Sequence, residues 1–221
     1  MTEAEWLICT KPVSMLRHLG AQATPRKLRL LACACFRERG WDEGWERENR
    51  NALDVAERYA DGLADRIDLL AVQPRPRSTT GNEPRVGGPP QPDDEAAIKL
   101  NWKNFAARDL TRERMNGLED GAIYAAGMDG GREARRSHAE LLHDIFGNPF
   151  RLVTADPAWR TSTVVSLAEG IYAERAFDRL PILADALQDA GCENTDVLTH
   201  CRGPGPHVRG CWVVDLVLGK S

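Results

Sequence analysis

The chain has 221 residues, of which 42% are hydrophobic and 28% charged, and its formal net charge at pH 7 is −4. This length provides for one large or two small domains with their own cores, and the near balance of 29 basic and 33 acidic residues gives no general attraction to nucleic acids or membranes. The first residues are acidic where a secretory signal needs positive charge, and no apolar run approaches the roughly 18–20 residues of a membrane span. We therefore expect a cytoplasmic, globular protein whose six cysteines are reduced thiols or metal ligands.

Residues 1–72 predict a small helical bundle. A capping box of Thr2 and Glu5 begins the first helix, which Pro12 is expected to break or kink. The second helix begins at Thr24-Pro25 and ends by Gly40, with one apolar face made of Leu28, Leu31, Ala32, Cys35 and Phe36. A helix over residues 49–59 and a short one over residues 64–72 complete this N-terminal subregion.

Residues 73–92 differ in composition from the regions on either side. Prolines alternate here with glycine, serine and threonine. Such a segment buries too little apolar surface to offset the entropy lost on ordering. We predict a flexible or partly extended insertion that separates two helical subregions.

Helical periodicity returns at residue 93 and continues towards the carboxyl end. One helix is predicted from residue 93 to about 110, with a continuation to 126, and another over residues 133–146 that ends at Gly147-Asn148-Pro149. Thr161 or Ser162 caps a further helix, and Leu180-Pro181 begins the next. Residues 208–218 fit a buried strand or a short helix, of which we favour the helix. The fold class is therefore all-α, with helical subregions at 1–72 and 93–221 that are able to pack as one domain.

Six strings on either side of the proline-rich middle are distinctive: residues 1–7 (MTEAEWL), 27–35 (KLRLLACAC), 145–151 (IFGNPFR), 175–181 (RAFDRLP) and the HCR and HVRGCW motifs within 200–212. Together they resemble an uncharacterised family that is numerous in planctomycete bacteria. That family has no assigned activity, cofactor or catalytic residue. The resemblance thus implies a lineage and carries no functional residue over to this chain.

The last thirty residues contain the densest group of side chains with metal-binding or nucleophilic chemistry. Zinc prefers four nitrogen and sulfur ligands in a tetrahedron, and His207 and Cys211 are separated by one turn of the predicted terminal helix. We predict a zinc site formed by Cys192, Cys201, His207 and Cys211, with His200 as the alternative ligand. The competing interpretation treats the cysteines as small buried apolar residues and the histidines as exposed or hydrogen-bonded ones.

The function predicted from these features is that of a helical protein-interaction or adaptor module with one structural zinc ion. The alternative is a thiol- or metal-dependent enzyme at the same segment, in which Cys211 is the nucleophile and His207 or His200 the base. The expected partner is a protein, because membrane and nucleic-acid binding have little support.

Three further clusters have ordinary interpretations. Solvated helix surfaces account for an acidic cluster (Asp185, Asp189, Glu193 and Asp196) and for a mixed-charge basic patch (Arg132, Arg135, Arg136 and His138). Trp41 and Trp45 either form an exposed ridge for a partner or cover the core. The remaining cysteines, Cys9, Cys33 and Cys35, are predicted core residues.

Overall fold

A computed structural model describes residues 1–38, 47–72 and 132–220, without the side chains of residues 47–49. Within these ranges every regular element is helical and none is a strand, which confirms the all-α fold class. The proline-rich insertion at 73–92, the helix predicted from residue 93, Gly40, Trp41 and Trp45 lie outside the described residues. The α-helices are α1 (Glu3–Leu7), α2 (Pro12–Leu19), α3 (Pro25–Glu38), α4 (Arg47–Ala60), α5 (Arg66–Ala71), α6 (Arg132–Phe146), α7 (Ser162–Glu174), α8 (Leu180–Asp189), α9 (Thr195–Arg202) and α10 (Trp212–Leu218).

The first predicted helix is two helices, because Pro12 begins α2 at a position where its missing N–H costs nothing. The capping box of α1 is present as predicted: Thr2 Oγ1 accepts from the backbone N–H of Glu5, and the Glu5 carboxylate accepts from the backbone N–H of Thr2. Trp6 is fully buried, and its indole N–H donates to the carbonyl oxygen of Gly147 at 3.1 Å. The amino terminus is therefore fastened to the end of α6.

The first core cluster is built around α3, which packs against α4 and α6. Its buried residues include Cys33 and Cys35, in agreement with the prediction that these thiols belong to the core. Helix α6 follows the proline-rich insertion in sequence, yet its apolar face packs against α2 and α3. His138 of α6 is buried, so its predicted place in the exposed basic patch is wrong. Arg136 of the same patch pairs with Glu140 on the exposed side of the helix.

The second core cluster consists of α7, α8, α9 and α10. Thr161 caps α7 by accepting from the N–H of Val164, as the sequence predicts. Helix α9 was not expected, although Asn194 provides a clear cap by accepting from two backbone N–H groups of its first turn. Helix α10 confirms the helical interpretation of the terminal segment, but it begins only at Trp212.

A buried ionic network joins the two clusters. Arg26 of α3 donates to Asp215 of α10 at 2.6 Å and to Asp61, which follows α4, at 3.0 Å. The hydroxyl of Tyr172 on α7 donates to the same Asp61 carboxylate at 2.7 Å. Both carboxylates are almost fully buried, and Arg26 is the cation that they share. Arg209 and Lys220 lie farther from Asp61, each at 3.6 Å.

No helix within the described ranges combines the length and the apolar character that crossing a membrane requires.

Candidate metal centre

Asp144 is a buried acid on the otherwise apolar face of α6, next to Ile145. Its side chain is only 2% exposed. One carboxylate oxygen, Oδ2, accepts from the backbone N–H of Val208 at 2.9 Å. The other oxygen, Oδ1, lies 2.7 Å from Nδ1 of His207 and 3.1 Å from Nε2 of His200. The backbone contact thus fixes the carboxylate so that Oδ1 faces both imidazoles.

His200 lies in the last turn of α9, with its ring tilted against the indole of Trp212 at a centroid distance of 5.2 Å. Its Nε2 atom is 3.2 Å from Sγ of Cys211, in addition to its contact with Asp144. A single ring nitrogen therefore faces a thiol and a carboxylate at once.

His207 belongs to the loop between α9 and α10. Its Nδ1 faces Asp144, and its Nε2 lies 3.3 Å from the carbonyl oxygen of Gly203. Gly205 makes this loop possible, because its φ of +87° favours glycine and an added Cβ would lie 3.1 Å from the backbone nitrogen of His207. The Gly-Pro-Gly-Pro segment thus folds back towards α6 and brings His207 to Asp144.

Cys211 occupies the N-cap position of α10 and is completely buried. Burial raises the pKa of its thiol well above the ordinary value, aided by the nearby charge of Asp144, whereas the backbone N–H groups of Val213 and Val214 favour the thiolate. The same N–H groups would support a thiolate bound to a cation, whose positive charge removes the cost of burial.

The four donor atoms of Asp144, His200, His207 and Cys211 all lie within 4.8 Å of one another, and this group could hold a metal ion. In a tetrahedral zinc site the bond lengths place neighbouring nitrogen and sulfur ligands about 3.3–3.6 Å apart. The contacts of 2.7, 3.1 and 3.2 Å within the group are slightly shorter. An ion would therefore replace these contacts after the close donors move apart by about half an ångström. Donors that are farther from each other, up to 4.8 Å, would move together.

The pKa values of His207 and Asp144 are shifted in the directions that suit a site where a metal ion replaces a proton. Burial alone would lower the pKa of His207, but its hydrogen bond to Asp144 raises that pKa above the ordinary value. Burial alone would raise the pKa of Asp144, but His200 and His207 bring that pKa below its ordinary value. The lowered pKa of Asp144 favours its anion, and the 2.7 Å contact between this carboxylate and Nδ1 of His207 occupies the position at which a metal ion would bind.

The arrangement of these four donor side chains differs from the catalytic relay of a cysteine hydrolase. In such a relay the histidine uses one ring nitrogen for the nucleophile and the other for the orienting acid. Here Nε2 of His200 faces both Cys211 and Asp144. The donors converge on one point instead of forming a chain, and the buried thiol has a raised pKa.

The structure gathers three of the sequence-predicted residues and leaves two outside the group. His207, Cys211 and the alternative ligand His200 meet, whereas Cys192 and Cys201 are buried in the second core cluster and are not members. Burial raises the pKa of Cys201 to about 12, in keeping with a small apolar core residue. The expectation that His207 and Cys211 share a terminal helix is wrong, because α10 begins after both.

The sequence did not predict Asp144 as a ligand. The acidic cluster predicted around Asp185 contributes no side chain to this group of four donors, as far as the described residues show. The available signal was a charged residue on the apolar face of α6, where Leu141 and Ile145 are buried. Within that acidic cluster, Asp185 is exposed and pairs with Arg202.

No family model matches the sequence. Neither the curated proteins nor the solved structures include a chain that matches it. The resemblance to a planctomycete family stays a prediction, and the functional argument depends on the geometry of the described residues.

Proposed function

We propose that this protein is a helical interaction or adaptor module in which Asp144, His200, His207 and Cys211 bind one structural zinc ion. The observation that carries the proposal is the convergence of four different donor side chains on one buried point. Two of them, the carboxylate and the thiolate, supply the two negative charges that neutralise a divalent cation. The two neutral imidazoles complete a tetrahedral set that suits zinc.

A structural role is favoured over a catalytic one because four protein ligands fill the tetrahedron. Catalytic zinc sites keep one position for water or substrate. Asp144 extends from the first core cluster, whereas His200, His207 and Cys211 come from the α9–α10 region. The ion would therefore connect the two clusters at a point where Val208 already donates its backbone N–H to Asp144.

The zinc proposal is tested by elemental analysis of the protein purified without added metal. We expect about one equivalent of zinc in the wild type and a loss of that zinc in Cys211→Ser. Cys192→Ser is the matched control, since it removes an equally buried thiol that lies outside the group. Folded wild-type protein without metal, or an equal loss in both variants, would refute the proposal.

Substitution by cobalt gives an independent measurement. A cobalt–thiolate charge-transfer band should appear in the wild type and in Cys192→Ser, and it should be missing in Cys211→Ser. A spectrum without this band in the wild type would show that Cys211 is not a ligand.

The interaction role is supported by apolar side chains that helix α5 leaves in solvent. Ile67 and Leu70, one turn apart, are 75% and 50% exposed, and Leu63 just before the helix is 62% exposed. Apolar groups that are exposed together are typical of surfaces that contact another protein. The double substitution Ile67→Glu/Leu70→Glu should release a co-purifying protein partner.

Ile182→Glu is the control for this experiment, because Ile182 is a similarly exposed isoleucine on α8 of the second core cluster. Both variants should keep their zinc and their helical circular dichroism. A partner that stays bound to the double variant would exclude α5 as the contact surface.

A further inference from the structure

A cleft of about 350 Å³ lies beside the candidate metal centre, with His207 in its wall. It is formed by α3, α4 and α6 on one side and by the segment after α7 and the loop before α10 on the other. Its volume is within the range of pockets that bind small molecules. Nothing in the zinc proposal uses this space.

The apolar part of the cleft comes from both core clusters and from the loop. Leu30 contributes from α3, Leu141 from the first cluster, Phe177 from the second, and Pro206 and Val208 from the loop that carries His207. A surface of this kind fits the hydrocarbon body of a small ligand, because burial of apolar area supplies the affinity.

The polar part of the cleft is dominated by three arginines around one buried acid. Glu57 accepts from Arg37 Nε at 2.9 Å, makes a short contact with Arg175, and lies 3.9 Å from Nε of Arg209. Glu38 adds a second acid to the lining. Asp54 also pairs with Arg37 at 2.6 Å and with Arg175 at 3.3 Å. Arg209 is therefore the arginine of the cleft with the longest contacts to acids, 3.9 Å to Glu57 and 3.6 Å to Asp61.

Arg209 has unused hydrogen-bonding capacity. Its Nε atom is buried and has no hydrogen-bond partner among the described residues. Its terminal nitrogens make long contacts, 3.6 Å to Asp61 and 3.4 Å to the carbonyl oxygen of Tyr172, and its guanidinium lies 5.0 Å from the centre of the Tyr172 ring. Buried polar groups in proteins normally have a partner, so this guanidinium is the group in the cleft most in need of an acceptor.

Arg175, which lines the cleft and pairs with Glu57 and Asp54, has an unusual backbone conformation. It caps the end of α7 with φ = 57°, and it is the non-glycine residue with positive φ in the described part of the chain. Glycine is usual at such a position. An arginine placed there despite its backbone preference contributes its side chain to the cleft.

We propose that this cleft binds a small organic carboxylate with an apolar body, whose carboxylate pairs with Arg209 and whose hydrocarbon part lies against Leu141, Phe177 and Pro206. A carboxylate with an apolar body is favoured over inorganic phosphate because Arg209 is a single cation beside a mainly apolar surface. The guanidinium fork matches a carboxylate in geometry as well as in charge.

The test uses the complete chain and isothermal titration calorimetry with hexanoate, hexanamide and inorganic phosphate as probes. Hexanoate should bind at one site, and hexanamide and phosphate should bind about tenfold more weakly or not at all, because they lack the charge or the apolar body. Equal binding of hexanamide and hexanoate, tighter binding of phosphate, or no binding of hexanoate would each overturn the proposal.

Two variants locate the site. Arg209→Gln should weaken hexanoate binding by about tenfold or more, whereas Arg179→Gln, which removes an exposed arginine paired with Glu174, should leave it unchanged. Ala34→Met fills the cleft from α3 without a change in charge and should also abolish binding. Unchanged binding in Arg209→Gln and Ala34→Met would place the ligand elsewhere. Zinc content is measured on the same samples, so a failure of the metal proposal is distinguished from a failure of this one.

Discussion

Replacement of Asp144 by asparagine separates the two contributions that the candidate metal centre makes to stability. In the wild type this carboxylate has three polar partners, the two imidazoles and the N–H of Val208, at 2.7, 3.1 and 2.9 Å. Asparagine keeps the shape and one carbonyl acceptor but removes the charge. Breaking a buried charge pair costs about 3–5 kcal/mol. Because asparagine retains one acceptor, we expect Asp144→Asn to lower the free energy of unfolding by about 3 kcal/mol.

The second contribution appears only when metal is present. If zinc binds the folded state alone, a free concentration one hundred times the dissociation constant adds about 2.7 kcal/mol to the free energy of unfolding. Asp144→Asn lacks the anionic ligand and should not gain this amount. The difference between wild type and variant should therefore be about 3 kcal/mol in chelator and roughly 6 kcal/mol in zinc.

The assay is urea unfolding followed by circular dichroism, with each protein measured in zinc and in chelator. Asp185→Asn is the control, since it makes the same chemical change at a carboxylate that is 72% exposed and paired with Arg202 on the surface. Its effect should stay below about 1 kcal/mol in both conditions. A wild-type protein with the same stability in zinc and chelator, or an equal response of Asp144→Asn to zinc, would refute the reasoning.

Three further outcomes are expected. In chelator, the stabilisation that His207 contributes is complete below its unfolded pKa of about 6.5 and is lost as the pH rises through its raised folded pKa. The stabilisation that Asp144 contributes is complete above its unfolded pKa of about 3.9 and is lost as the pH falls through its lowered folded pKa. Urea unfolding of the metal-free protein should thus show the greatest stability between about pH 4 and 6.5. The stability that zinc adds should grow towards pH 8, because protons compete with the ion for its ligands. A stability that does not change with pH in chelator would contradict this expectation. Gly210→Ala should lower the free energy of unfolding by about 1–3 kcal/mol more than Gly191→Ala. Both glycines have φ near +90°, but only at Gly210 would a Cβ lie 3.0 Å from a leucine methyl carbon of α3. Equal shifts of the two melting temperatures would rule out this contact as the cause. Arg26→Met should destabilise by about 3 kcal/mol or more in chemical denaturation, since it leaves two buried carboxylates without their shared cation; an effect below about 1 kcal/mol would show that other cations compensate them.

The helix ends were largely predictable because each depends on residues within one turn of it. The capping box at Thr2, the cap at Thr161 and the glycine after α6 each act through backbone groups three or four residues away. The same local rules could have found α9, since Asn194 is a strong cap. Its apolar face is short, with Val197 and Cys201 as its buried residues, so hydrophobic periodicity alone is a weak signal for this helix.

The composition of the candidate centre was only partly predictable. Histidines and cysteines are conspicuous in any sequence, and three of those near the carboxyl end do meet. No local rule separates Cys211 from Cys192 and Cys201, because all three are fully buried thiols and their difference lies in what surrounds each of them. Asp144 is sixty-three residues away from His207 in the chain, and nothing in its immediate neighbours indicates a partner at that distance.

The amino-acid sequence by itself determined most of the helix ends, which helix faces are apolar, and that the carboxyl end has the side chains for a metal site. Those properties arise from interactions between residues that are close along the chain. Only the tertiary structure decided that α6 packs with the amino-terminal helices, that Asp144 faces His200 and His207, and that three arginines surround Glu57 beside them. Such contacts join residues that are far apart in sequence, and they are selected by how whole helices bury their apolar faces together.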